Sequence, residues 1–272
     1  MRIVAARNGL AWIAAGVRLF ARAPFGWIFG VFAYWGLMLM SNLVPIVGPL
    51  AATVTLPAFS VSFMAFARAA EAGQPIMPPL LFAGFSRNVR ALLVLGAVYL
   101  ASVFAILGVS ALADGGMLAK WLIAGAPPAE GEAREDVANA ALLALAAYAP
   151  VLAAFWFAPV LAAWRDLPPA KALFFSFFAV LRNWRAFLAY GAGLAAAAIP
   201  AGLVFSFAVS ALGSFAAGFA RDPAERLAVA MFAASPLVFA AASVLFASFY
   251  ASWRDVFPAE PAPSDAPAAA PA

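Results

Sequence analysis

The sequence predicts an all-α fold, a polytopic transmembrane helical bundle of about six spans arranged as three helical hairpins. The first observation is composition, because 67% of the 272 residues are hydrophobic and only 10% are charged. Soluble domains carry about a quarter charged residues, and a chain with far fewer cannot cover its surface with polar groups in water. In lipid the same apolar side chains face a solvent that suits them. The second observation is the length of the uncharged stretches, which match the roughly 20 residues of a spanning helix.

The uncharged stretch between Arg22 and Arg68 is long enough for two spans and must fold back on itself. Pro45, Gly48 and Pro49 mark the turn, because two prolines and a glycine cannot continue a helix. The predicted spans, with approximate ends, are 25–44, 47–67, 91–113, 138–163, 186–211 and 227–251.

Basic residues set the expected orientation, because cytoplasmic loops carry an excess of Lys and Arg. With the N-terminus in the cytoplasm, twelve of the sixteen basic residues fall on the inner side, and six spans return the C-terminus there. We therefore expect a multi-pass membrane protein with both termini in the cytoplasm. Residues 1–257 are predicted to form one integral membrane domain, and the tail 258–272, rich in Pro and Ala, is expected to be disordered. An aromatic belt at the inner boundary is predicted from Trp12, Trp27, Trp164, Trp184 and Trp253.

Three stretches on the inner side are predicted to be short helices lying on the membrane. Asn8 is expected to cap the first, with Trp12 and Arg18 as interfacial anchors. Pro79 and Pro169 are typical of a first helical turn and are expected to open the second and the third. The third is too apolar for a solvated loop, so we expect it to lie in the interface or pack against the bundle.

The chain contains a weak internal repeat, whose unit is a hairpin with both ends on the inner side. Similar segments precede the odd-numbered spans at 20–24, 85–90 and 180–185, and others follow the even-numbered spans at 67–71, 163–168 and 252–258. The last two of the second set match each other well, and the first member of each set is weak. Units of one orientation differ from the inverted repeats of many secondary transporters.

The motif Trp-Arg-Asp occurs twice, and membrane anchoring alone explains it. Trp then lies at headgroup level, Arg reaches the interface and the helix C-terminal dipole, and Asp pairs locally. The alternative is a cytoplasmic docking or lipid-headgroup surface in which the arginines contact phosphates. The repeated Arg-Asn pair leaves the same choice, since Asn can cap the next span while Arg anchors it. The candidate lipid or partner contacts are Arg87, Asn88, Trp164, Arg165, Asp166, Arg182, Asn183, Trp253, Arg254 and Asp255.

Missing residue types disfavour an enzyme. The chain has no His and no Cys, so it lacks the commonest general base, the commonest zinc ligand and any thiolate. Walker motifs, metal-ligand clusters and nucleophile elbows are also absent from the sequence. We therefore predict no catalytic residue, no cofactor and no bound metal. The basic residues flank spans instead of forming a patch, so no nucleic-acid partner is expected.

At residues 22–27, 168–176, 182–185 and 250–257 the chain resembles a family of six-span bacterial inner-membrane proteins with no assigned activity. More loosely, Ala172, Leu173 and Ser176 followed by 182–185 are similar to a motif in the membrane domain attached to some glycerophosphodiester phosphodiesterases. That domain is an anchor or accessory. The catalytic barrel of those enzymes has no counterpart here, so the resemblance implies no catalytic residue.

Two functions remain open from the sequence. The first is a structural or accessory membrane protein that binds lipids, a membrane-protein partner or a second copy through its basic inner face. The second is a transporter or channel for small or lipidic solutes, although no ionisable side chain lies in the middle of a predicted span, as proton and ion pathways usually require. A membrane-embedded enzyme is disfavoured, because no carboxylate pair lies within the spans.

Overall fold

The computed structural model describes residues 1–125 and 134–258. The tail predicted to be disordered lies outside the described residues from residue 259 onward. The helices are α1 (Asn8–Arg22), α2 (Pro24–Ser41), α3 (Val47–Glu71), a 3₁₀ helix (Pro78–Phe85), α4 (Val89–Asp114), α5 (Met117–Ala124), α6 (Arg134–Phe155), α7 (Ala158–Trp164), α8 (Pro169–Arg182), α9 (Trp184–Ala216) and α10 (Pro223–Val256).

Within residues 1–125 and 134–258, six helical stretches are long and apolar enough to cross a membrane, which confirms the predicted all-α bundle. They are α2, α3, α4, α6 continued by α7, α9 and α10. The last two have 33 and 34 residues and run past the predicted ends. The predicted ends of these two spans were set by neighbouring charged residues. Helix α10 instead starts where the Asp222 carboxylate accepts a hydrogen bond from the Ala224 backbone N–H at 3.0 Å.

The turn between α2 and α3 covers residues 42–46 and is longer than the predicted spans allow. The first helix ends at Ser41, so the first span stops three residues before the expected 44. The second begins at Val47, which places Gly48 and Pro49 in its first turn, where a proline needs no hydrogen-bonding partner. Gly48 lies so close to the end of α2 that a Cβ there would meet the Ser41 carbonyl oxygen.

Each pair of spanning helices is preceded by a shorter helix. The units are α1 with α2 and α3, the 3₁₀ helix with α4, α6 and α7, and α8 with α9 and α10. Within the second and third units the spanning helices pack closely on each other. The first unit is more open, and α2 packs against α10 as well as α3.

The first short helix packs on the bundle, and two of its predicted features are wrong. It packs between α9 and α10, and Cβ atoms on Gly9 and Gly16 would meet the backbone of those two helices. Trp12 is 2% exposed and lies against Phe187 in α9, so it is no interfacial anchor. Asn8 does not cap the helix either, because its side chain points to α10 instead of to a free backbone N–H.

The other two short helices pack on the bundle. The second begins at Pro78 and is a 3₁₀ helix, tied to α3 by a hydrogen bond from the Gly84 N–H to the Ser62 hydroxyl at 3.0 Å. The third begins at Pro169, as predicted. Its Ser176 hydroxyl accepts from the Phe157 N–H at 2.8 Å and donates to the Ala153 carbonyl at 2.9 Å. These bonds serve backbone groups left unpaired at the break between α6 and α7.

The larger buried cluster of the described residues lies at one end of the bundle. Most of its residues fall in the second half of α3, the first two turns of α4, α7 and the last four turns of α10. A smaller cluster of Leu118, Val137 and Ala140 lies apart from it. Most of α9 is exposed, as expected for a surface that faces lipid. We call the well-packed end the basic end, because Arg68, Arg165 and Arg254 lie there.

Candidate ligand site at the basic end

The three hairpins each end in an arginine, and the three arginines line one cavity. Arg68 ends the first hairpin, Arg165 the second and Arg254 the third. The cavity measures about 570 Å³, and we call it the arginine cleft. Among the described residues its lining is Arg68, Trp164, Arg165, Tyr250, Trp253, Arg254, Phe257 and Pro258.

The floor of the arginine cleft is a pair of indoles. The Trp164 and Trp253 rings meet edge to face, with centroids 6.2 Å apart. The Arg68 guanidinium carbon lies 4.7 Å from the centroid of Trp164, and that of Arg165 lies 5.9 Å from the centroid of Trp253. Both are within cation–π range. Each of these arginines therefore stacks on the tryptophan of the next hairpin along the chain.

The third arginine, Arg254, contacts a carboxylate of the first hairpin instead of an indole. Arg254 forms an ion pair with Glu71, at the end of the first hairpin. The Glu71 carboxylate also accepts a hydrogen bond from the Tyr250 hydroxyl at 2.7 Å. The Glu71 backbone carbonyl accepts one from the Arg22 guanidinium at 2.9 Å. The Arg254 side chain is 55% exposed and that of Glu71 35%, so the pair lies at the surface and is weakly held.

A second cavity lies on the other side of this ion pair, between α1 and α10. It measures about 430 Å³, shares Tyr250 and Arg254 with the arginine cleft, and is also lined by Glu71. Arg18 and Arg22 of α1 add two more cations to its lining. The basic end thus presents five exposed arginines around two neighbouring cavities, a distribution that attracts anions.

The aspartate of the second Trp-Arg-Asp copy, Asp255, contacts the N-terminus of the chain, whereas the sequence predicted a partner close to it in sequence. Asp255 accepts hydrogen bonds from Arg2 at 2.8 Å, Asn8 at 2.7 Å and the Trp12 indole N–H at 2.9 Å. These partners lie at the N-terminus, so the prediction of a local partner was wrong for Asp255. Its role is to hold the N-terminal segment, residues 1–8, and α1 against α10.

The two Arg-Asn pairs also differ from the capping prediction. Neither asparagine caps the helix that follows it with its side chain. Asn183 is 2% exposed; it accepts from the Val4 N–H at 2.8 Å and donates to the Arg2 carbonyl at 3.1 Å. Asn88 donates to the Ala162 carbonyl at 2.9 Å, which ties the start of α4 to α7.

The remaining candidates lie outside the arginine cleft. Asp166 is exposed, has a positive φ of 49°, and lines a hollow of about 540 Å³ with Asn88. Arg87 and Arg182 are exposed and line neither the arginine cleft nor the cavity beside α1. The cleft thus gathers four of the ten predicted residues: Trp164, Arg165, Trp253 and Arg254.

Sequence reasoning missed Arg68, Glu71 and Tyr250. The signal for the first two was present, because Arg68 and Glu71 stand in the weak first member of the segments that follow even-numbered spans. That member has no Trp or Asp beside its arginine, so the local match is poor. The equivalence becomes visible only when the three hairpin ends meet.

The arrangement is suited to binding an anion. Stacking occupies the face of a guanidinium and leaves its in-plane N–H donors free for oxygen ligands. Aromatic rings at the same level supply a flat apolar platform beside the charge. Among the described residues that line the arginine cleft we find no paired nucleophile and general base.

Comparison with known proteins identifies one relative. No protein-family profile matches the chain, and no solved structure matches it. A curated protein of Burkholderia thailandensis, named a probable inner membrane protein, is 36% identical over 261 residues, which cover 93% of this chain and 92% of the relative. With six membrane-spanning helices, this protein is a multi-pass inner-membrane protein, and it belongs to the family of that Burkholderia protein.

Proposed function

We propose that this protein is a non-enzymatic structural or accessory component of the inner membrane that binds anionic lipid headgroups through the arginine cleft. The observation that carries the proposal is the convergence of Arg68, Arg165 and Arg254, one from each hairpin, around two indoles in edge-to-face contact. A membrane-protein partner with an acidic surface, or a second copy of this chain, is the other occupant that the same surface can take.

The proposed orientation places both termini and the basic end in the cytoplasm. Twelve of the sixteen basic residues then lie on the inner side, as the positive-inside rule requires. The inner leaflet carries anionic lipids, and each nearby Lys or Arg is worth about 1 kcal/mol of attraction to that surface. A C-terminal fluorescent fusion that stays dark, with an active periplasmic reporter at the same position, would contradict this orientation.

The direct test is a double variant of the arginine cleft. Arg165→Ala plus Arg254→Ala is expected to reduce the anionic lipid that co-purifies in mild detergent, measured by mass spectrometry of the extracted lipid. The matched control is Arg87→Ala plus Arg182→Ala, which removes the same charge at exposed positions outside the cleft. If the cleft variant retains as much lipid and as many protein partners as the control, the proposal is wrong.

A transporter or channel for small or lipidic solutes is the second candidate. It is favoured by an apolar cavity of about 700 Å³ between α6, α8 and α9, lined mostly by aliphatic and aromatic side chains such as Trp156, Phe177 and Leu194. Solute flux in proteoliposomes would support transport, and no flux across a broad panel would count against it. The looser resemblance to the phosphodiesterase membrane domain stays a prediction; it agrees with the accessory role.

A further inference from the structure

The charges of the arginine cleft do not balance within the described part of the chain. Arg68 and Arg165 have no carboxylate within ion-pair distance among residues 1–125 and 134–258, whereas Arg254 is paired with Glu71. The three guanidiniums and one carboxylate therefore leave two net positive charges at one cavity. A ligand with two negative charges would neutralise them.

From this balance we infer that the arginine cleft binds a membrane lipid whose headgroup is a phosphate monoester. This inference rests on the proposed function and names the lipid class. A phosphate monoester carries about −1.5 to −2 charges at pH 7 and has three terminal acceptor oxygens, whereas the diester of an ordinary phospholipid carries one charge. Arginine matches such oxygens with paired N–H donors.

The stacked arginines are oriented for this ligand. Because Arg68 and Arg165 lie over the Trp164 and Trp253 rings, the edges of their guanidiniums can donate to ligand oxygens. One Arg165 nitrogen makes a long hydrogen bond of 3.4 Å to the Pro258 carbonyl, and its other N–H groups remain for a ligand. Tryptophan at this level also suits the boundary between headgroups and acyl chains. The phosphate thus lies in the basic rim while the acyl chains extend along the apolar helices.

Glu71 acts in this scheme as an internal counterion. It holds Arg254 and accepts the Tyr250 hydroxyl, so it competes with the ligand for the third guanidinium. Its exposed position makes the pair easy to break. Removal of this carboxylate should strengthen binding of the anion, whereas removal of a carboxylate with a purely structural role would weaken it.

The experiment titrates the full-length detergent-solubilised protein with defined lipids and measures bound lipid by native mass spectrometry. The probes are phosphatidic acid, a monoester, and phosphatidylglycerol, a diester with the same acyl chains. Phosphatidic acid is expected to bind about tenfold more tightly, the factor that corresponds to one charge-assisted hydrogen bond of about 1.4 kcal/mol. Equal affinity for the two lipids would overturn the inference.

Paired variants distinguish binding by the arginines of the cleft from attraction by exposed basic residues elsewhere. Arg68→Gln plus Arg165→Gln is expected to abolish the preference for phosphatidic acid, and the control Arg87→Gln plus Arg182→Gln to retain it. A preference that survives in the cleft variant overturns the inference.

The Glu71→Gln variant tests the counterion role and is expected to bind phosphatidic acid more tightly. Weaker binding would make the ion pair a structural support and contradict that role. Thermal unfolding of each variant shows whether it is folded.

Two further outcomes distinguish related possibilities. Soluble glycerol phosphate at equal concentration is expected not to displace the lipid, and displacement would assign the cleft to free phosphate monoesters instead. If phosphatidic acid and phosphatidylglycerol bind equally and the cleft variant loses both, the monoester inference fails while the proposed binding of anionic lipids stands. If the cleft variant loses neither, both are wrong.

Discussion

The two Trp-Arg-Asp copies have the same sequence and different structures. In the first copy α7 ends at Trp164, and Asp166 turns outward with a positive φ. In the second copy α10 continues to Val256, so Asp255 stays helical and faces α1. The indoles of the two copies are in contact, and both arginines line the cleft. The aspartates alone diverge.

The two aspartates differ because different segments of the chain pack beside them. The N-terminal segment runs beside the end of α10, where the Arg2 N–H donates to the Val256 carbonyl at 2.8 Å. No equivalent segment reaches Asp166 in the described part of the chain. A motif at a helix end thus fixes where Trp and Arg lie relative to the membrane, while the function of its third residue depends on the neighbouring chain.

The strongest test of this comparison replaces each aspartate. Asp255→Ala should lower the free energy of unfolding by about 3 kcal/mol, because it removes the acceptor of three hydrogen bonds and leaves the buried Trp12 N–H without a partner. Asp166→Asn should change it by less than about 0.5 kcal/mol, since the side chain is exposed and Asn tolerates a positive φ. Thermal unfolding in detergent, followed by circular dichroism, measures both. Equal losses would show that the two copies are equivalent.

The Arg-Asn pairs offer a second test of intermediate size. Asn183→Ala should cost about 2 kcal/mol, because the Val4 N–H and two carbonyls lose their buried partner. Asn88→Ala should cost about 1 kcal/mol, from one hydrogen bond and from an alanine placed at a φ of 46°. Limited proteolysis should release the N-terminal segment faster in the first variant only. Release at the same rate from both would contradict a specific role of Asn183.

The fold was largely predictable, because the number of spans depends on composition and on uncharged length. The ends of the spans were less predictable, because a charged residue indicates where the lipid ends and not where a helix ends. The predicted aromatic belt was wrong for Trp12, Trp27 and Trp253, which are 2%, 0% and 6% exposed. Tryptophan near a span boundary has the same sequence signature whether it faces headgroups or protein.

The candidate site was predictable only in part. Trp164, Arg165, Trp253 and Arg254 could be found because their motif is repeated within the chain. Arg68 could not, since its segment shares only the arginine with the other two. The link between Arg254 and Glu71 joins the first and third hairpins, and contacts at such a separation have no local sequence pattern.

The smallest expected effect is that of the Arg2–Asp255 ion pair, which can be removed without removing the other hydrogen bonds of Asp255. The Arg2 side chain is 60% exposed and that of Asp255 18%, so their ion pair should contribute about 0.5 kcal/mol or less. Arg2→Gln should therefore leave the unfolding temperature almost unchanged, because the bonds from Asn8 and Trp12 and the backbone bond to Val256 persist. High salt should have a similarly small effect on the parent protein. A loss as large as that of Asp255→Ala would mean that the ion pair, and not the buried indole N–H, holds the N-terminal segment against α10.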